Sequence, residues 1–137
     1  MMWVRIVGSL AVMAALAACQ KVLNDAPKRP LATLAGTEWG PMQGELDQFI
    51  GFKTGGDVVG SGGCNNFFGS FSQNGRLVTF GPLASTKMAC PPEIMDAERE
   101  FMTVLGNVRA IEATHLELTL FGDANQVLMV LRRRDWD

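Results

Sequence analysis

Cys64 and Cys90, 26 residues apart, are the two side chains of this chain whose type and spacing most clearly define a chemistry. In an oxidising compartment two thiols of a small domain usually end as a disulfide, and that reading is favoured here. Two free buried thiols, a redox pair and a metal site are the alternatives. A redox pair normally shows Cys-x-x-Cys, which this chain lacks. A structural zinc site takes four closed ligands, and His115 is the one histidine available as a third donor. Ser85-Thr86-Lys87 offers hydroxyls and an amine, but no spacing certifies the geometry of a Ser/Lys dyad. Gly60-Ser61-Gly62-Gly63 is glycine-rich yet has no Lys-Ser/Thr after it, so it is no phosphate-binding P-loop. Its glycines are expected in a structural loop, at positive φ or at close strand crossings, with Asn65 and Asn66 bonding local backbone. Neither paired carboxylates nor a Ser-His-Asp set is legible. The expectation is a protein without catalytic residues, cofactor or metal.

A third cysteine, Cys19, has a different setting. Met1 to Arg5 forms a short start with one positive charge, and Ile6 to Ala18 is apolar or small throughout. That run is too short to span a bilayer but suits the apolar region of a secretory signal. It ends Leu16-Ala17-Ala18-Cys19, the lipobox pattern at which bacterial lipoproteins are acylated on the thiol and cut just before it. An ordinary signal peptide with an Ala-x-Ala cut is the alternative. Residues 1–18 are therefore expected to be a signal peptide, with lipidation on Cys19. Two or three acyl chains anchor stably where one is marginal. Gln20 is not the Asp that retains Gram-negative lipoproteins in the inner membrane, which favours the periplasmic leaflet of an outer membrane. Residues 19–34, with Lys21, Asp25, Pro27, Lys28, Arg29 and Pro30, read as a lipidated start and flexible tether. A domain of residues 35–137 follows.

Charge and composition narrow the partners. The net charge of −2 becomes −3 when Arg5 is removed with the signal. A weakly acidic chain without clustered Lys and Arg is a poor nucleic-acid surface, so no nucleic-acid partner is expected. After the signal no second long apolar run exists.

The elements that must position these residues are mostly strands. Phe49 to Lys53, Phe67 to Ser72, Arg76 to Phe80 and the short Leu83 to Met88 have β-type composition with glycine punctuation. Asn74-Gly75 is an Asn-Gly hairpin signal. Pro91-Pro92-Glu93 opens a helix of about residues 92–106, in which Ile94, Ala97, Phe101 and Leu105 form an apolar stripe and Gly106 is the expected stop. In Thr114 to Leu120 the leucines Leu116, Leu118 and Leu120 alternate with polar residues, which places His115 outward in solvent. Gly122 to Asn125 is a turn, and Val127 to Leu131, apolar on both faces, reads as a central strand ended by Arg132-Arg133-Arg134. Met42, Met88, Met95, Met102 and Met129 suggest a methionine-rich core. The fold class is α+β: mostly antiparallel, a curved sheet or cracked barrel with one helix.

Two stretches, Gly60 to Phe71 and Leu83 to Pro91, together resemble the META/HslJ family of small bacterial envelope proteins. The resemblance rests on Gly63-Cys64-Asn65 with Gly69 in the small-aromatic stretch that follows, and on Thr86-Lys87-Met88-x-Cys90 about twenty residues on. Gly36-Thr37-Glu38-Trp39 matches the family's opening, and Leu116 to Leu120 its late strand. Phe71 stands where an aromatic, often Tyr, is common. The resemblance implies a compact, mostly β fold similar in outline to the cracked barrel of secretin-pilot lipoproteins. It implies no known catalytic activity and a role in stress tolerance, secretion or motility at the envelope. The expected partners are the membrane, through the lipid on Cys19, and a peptide or apolar ligand held against the sheet near Gly60 to Phe71. A pilot assisting assembly of an outer-membrane complex and a thiol-dependent redox protein are the two other readings.

Overall fold

The computed structural model describes residues 33–44 and 46–134. The expected signal, Cys19, Gln20 and the tether up to residue 32 lie outside the described residues. The described residues hold nine strands and one helix. The strands are β1 (Thr37–Pro41), β2 (Phe49–Phe52), β3 (Asp57–Ser61), β4 (Asn66–Asn74), β5 (Leu77–Phe80), β6 (Ala84–Ser85), β7 (Ala110–Ala113), β8 (Glu117–Phe121) and β9 (Val127–Arg133), with α1 (Pro92–Asn107) between β6 and β7.

Pairing runs β3-β2-β1-β9-β8-β7-β5-β4-β6 and closes through a further β3–β4 ladder. Eight strands thus form a ring, with the two-residue β6 laid on β4. The ring is uneven. β3 and β4 share five register pairs, whereas β5 and β7 meet at Leu77 and Ala110 alone. Val78 N–H to Arg109 O at 3.1 Å and Ile111 N–H to Arg76 O at 2.8 Å are the other bonds across that seam. The expected cracked barrel is what is found, and the crack lies between β5 and β7.

Alternation fills the ring. Trp39, Ile50, Phe52, Val58, Phe67, Val78, Leu118, Leu120 and Leu131 point inward and are buried. α1 covers one end of the ring and buries Phe101 and Leu105, with the Phe101 ring 6.4 Å from that of Phe67. Ile94 and Ala97 continue the stripe at half-burial. At the other end Thr37 is the hinge of a buried relay. The Trp39 indole donates to Thr37 Oγ1 at 2.6 Å, and that hydroxyl donates to Leu34 O at 2.6 Å. The relay gives Gly-Thr-x-Trp a physical reading: the threonine satisfies a tryptophan N–H that burial would otherwise strand.

Several expectations need correction. Asp57–Ser61 forms β3, so Gly60 is a strand residue and not part of a loop; it faces Phe49 O and the Phe67 ring so closely that no Cβ fits. The hairpin turn is Gly75-Arg76, since Asn74 pairs with Leu77, and its positive φ of 60° lies at Gly75 as a type II′ turn requires. Only Ala84 and Ser85 of the expected Leu83–Met88 strand are paired. Gly106 lies within the last turn of α1, which ends at Asn107 and leaves through Val108 in an extended conformation. The segment after the helix contains a separate short strand, β7, so His115 and Leu116 form the β7–β8 turn and Leu116 is exposed at 64%. β9 is central, between β1 and β8, and runs on through Arg133. Its arginines do not end it because cross-strand partners receive them. The Arg133 guanidinium lies 5.7 Å from the Trp39 ring centre, and Arg134 pairs with Asp47 at 2.8 Å. Met42 and Met88 are exposed, Met95 is half-buried, and Met102 and Met129 pack partly buried on a core otherwise of branched and aromatic side chains.

Candidate functional site

The motif residues converge at one corner, where β3 turns into β4 beneath α1. Gly63 takes a φ of 111°, which a glycine adopts without cost, and delivers Cys64 and Asn65 to the ring interior. Cys64 is joined to Cys90 by a disulfide, with Cα atoms 6.0 Å apart. Asn65 is buried and uses both ends of its amide. Its Oδ1 accepts from the Met88 N–H at 2.6 Å and from Thr86 Oγ1 at 2.9 Å. Its Nδ2 donates to Glu98 Oε1 at 2.8 Å and to Met88 O at 3.4 Å. Asn66 N–H donates in turn to Thr86 Oγ1 at 3.2 Å.

Glu98 completes the corner from the helix. Its Oε2 accepts the backbone N–H groups of Cys64 at 3.0 Å and of Asn65 at 2.5 Å. Burial raises its carboxyl pKa, but the Asn65 amide and the two backbone donors outweigh that, and the net direction is below the ordinary value. Gln48 adds a second tie, donating from Nε2 to Gly62 O at 2.8 Å and to Ala97 O at 3.2 Å. Gly62 has to be glycine, since a Cβ there would lie 2.5 Å from Glu98 Cγ. Disulfide, amide and carboxylate together form a clasp that fixes α1 and the Thr86–Cys90 segment on β4.

Most of the sequence-derived positions belong to the clasp, but not all through their side chains. Gly63, Cys64, Asn65, Thr86 and Cys90 take part directly. Met88 contributes its backbone, and its side chain is exposed. Gly69 serves a neighbouring close approach, where an added Cβ would lie 2.8 Å from Pro82 O. Lys87 and His115 are exposed and bring no side chain to the corner. Sequence reasoning missed Glu98 and Gln48. Glu98 sits on the polar side of the helical pattern, and the one available signal was that a buried asparagine needs acceptors. Among the described residues no group of three or more His, Cys, Asp and Glu converges as a metal site. No helix of the described residues is long and apolar enough to cross a membrane.

Beside the clasp lies a groove of about 620 Å³, within the range of ligand-binding clefts. One wall is β5 and its continuation, Val78 to Leu83; the other is Met102 and Gly106 of the C-terminal half of α1 with Val108 and Arg109 that follow it. It lies between β5 and the end of α1, where β5 runs on past its one pair with β7, and none of its lining comes from Gly60 to Phe71. The clasp holds one wall, since Glu98 ties α1 to Cys64 and Asn65.

A family model described as META domain matches residues 30–135. No curated protein matches the chain. Among solved structures, the fold is similar to an NMR structure of a protein from Burkholderia xenovorans, with a TM-score of 0.61 at 19% identity over 74% of this chain and 84% of that one. A crystal structure of a DUF4847 family protein from Bacteroides vulgatus aligns with a TM-score of 0.49 at 21% identity over 66% of this chain and 62% of that one. With a family model covering the whole ring, the clasp and the groove, the chain belongs to the META domain family.

Proposed function

We propose that this protein is a non-catalytic, lipid-anchored protein of the bacterial envelope, which holds a peptide or apolar partner in the groove between α1 and β5 and serves envelope stress tolerance. The observation that carries the binding part is the groove itself: about 620 Å³ walled by Val78, Phe80, Leu83, Met102 and Val108, with α1 held in place by the clasp. The anchor rests on Leu16-Ala17-Ala18-Cys19, and Gln20 favours the periplasmic leaflet of an outer membrane. The clasp residues spend their polar atoms on one another, which supports a scaffold role over thiol chemistry.

The test uses the membrane-extracted full chain. Its intact mass should carry a diacyl or triacyl group on Cys19. Its melting temperature should rise with apolar pentapeptides or short-chain phospholipids, and Met102→Lys should abolish the rise. An unlipidated chain would refute the anchor, and unchanged melting with every probe would refute the binding.

A further inference from the structure

The groove has a feature that an apolar slot does not need: an open strand edge that ends at a cation. Along β5, Leu77 and Thr79 bond to β4, since Asn74 pairs with Leu77 and Ser72 with Thr79. By alternation the N–H and C=O groups of Val78 and Phe80 point to the other side. The Val78 N–H is taken by Arg109 O. Arg109 thus covers the outer edge of buried Val78, while β5 pairs with β7 at Leu77 alone, so the N–H and C=O of Phe80 face the groove with no strand beside them. Two backbone groups in strand geometry, both of Phe80, therefore face the groove.

The edge closes where Val108 and Arg109 lead into β7. A strand added to β5 can enter from the Leu83 side, but it must stop there. Arg109, whose backbone O takes the Val78 N–H, stands at that stop and lines the groove. Its Nη1 donates to Gly106 O at 3.0 Å and Val108 O at 2.8 Å. Nε and Nη2 have no carboxylate partner among the described residues. A chain ending here with its ammonium group would face this cation; a chain ending with its carboxylate would pair with it.

We infer that the groove captures the free C-terminus of an extended peptide, added antiparallel to β5 on the Phe80 edge, with its terminal carboxylate on Arg109 and apolar side chains against Leu83, Met102 and Val108. This inference rests on the groove-binding reading above and names its partner class. Main-chain bonds to the edge supply affinity and the apolar pockets supply selectivity.

The experiment titrates full-length protein with a pool of acetylated pentapeptides bearing varied apolar residues at the first, third and fifth positions, as free acids and as C-terminal amides. Calorimetry gives affinities, and amide NMR reports the Phe80 N–H. The acids should bind about tenfold more tightly than the amides, as expected for one charge-assisted contact. The Phe80 amide should shift, and Arg109→Gln should bring acids and amides level while Arg109→Lys restores part of the difference. The acid–amide comparison on the natural protein needs no variant to fold. Equal binding of acids and amides would overturn the inference while leaving the groove reading intact. No binding by either pool overturns the inference alone if phospholipids still stabilise the protein, and both readings if nothing does.

Discussion

Replacing Asn65 by Asp changes one atom's hydrogen-bonding sense at the centre of the clasp. Nδ2, which donates to Glu98 Oε1 at 2.8 Å and to Met88 O at 3.4 Å, becomes a carboxylate oxygen facing two acceptors. Two carboxylates at that distance do not both stay ionised, and the pair takes up one proton instead. The shared proton restores an O–H donor toward Glu98, so the penalty is capped by the cost of protonating a carboxyl at the working pH. With an ordinary pKa near 4, that cost is about 4 kcal/mol at pH 7 and about 1.5 kcal/mol at pH 5. The sign opposes the natural protein. Its Glu98 carboxyl is held below the ordinary value, so its contribution is complete above the unfolded pKa and is lost as pH falls through the folded one. In Asn65→Asp the shared pKa lies above the unfolded value, so the deficit shrinks as pH falls. Urea denaturation of the full chain at pH 7 and pH 5, for the natural protein, Asn65→Asp and Asn65→Ala, reads this directly. Asn65→Ala should lose stability by an amount nearly independent of pH across that range. An Asn65→Asp deficit that is the same at both pH values, or under about 0.5 kcal/mol at pH 7, would refute the clasp as described.

Three further perturbations test other parts. Reducing the Cys64–Cys90 bridge, or replacing both residues with Ser, should cost about 3.5 kcal/mol for a 26-residue separation, and an unchanged urea midpoint would contradict this. Glu98→Gln should flatten the fall in stability below about pH 4.5, because the carboxylate with the depressed pKa is gone; a fall as steep as the natural protein's would assign that slope elsewhere. Gly60→Ala should destabilise by about 3 kcal/mol or more, because backbone at Phe49 and the Phe67 ring block the new methyl, whereas Gly106→Ala, in open helical surroundings, should stabilise by about 0.5–1 kcal/mol. Equal effects of the two glycine substitutions on thermal unfolding would show that the close crossing is absent.

Signals carried by near neighbours in sequence were the legible ones. The helix showed in Ile94, Ala97, Phe101 and Leu105, and the buried face of β8 in Leu118 and Leu120. β3 was hidden because Gly60, Gly62 and Gly63 read as a loop, although Gly60 is glycine so that strands can cross closely. β7 was hidden because Ala110 to Ala113 is four residues long and its Ala-Ile-Glu-Ala composition fits a helix as well as a strand. Arg132 and Arg133 read as a stop, yet a ring lets a strand carry arginines outward or over Trp39 while its backbone stays paired. In the candidate site the two cysteines and Asn65 stood out by type. Glu98 did not, because 33 residues separate it from Asn65 and only the fold turns its helical position toward the corner. The groove left no sequence signal for the same reason: it lies where β5 runs past its one pair with β7, which no local pattern encodes.

The central claim is that the α1–β5 groove is where this protein meets its partner. The most direct measurement places a photo-reactive side chain at Leu83, in the groove, or at Leu116, exposed on the β7–β8 turn, in the full-length protein made in its own cells. The account predicts crosslinks from position 83 that map to the C-terminal residues of a partner peptide, with position 116 unreactive. Crosslinks from 116 with none from 83 would contradict it.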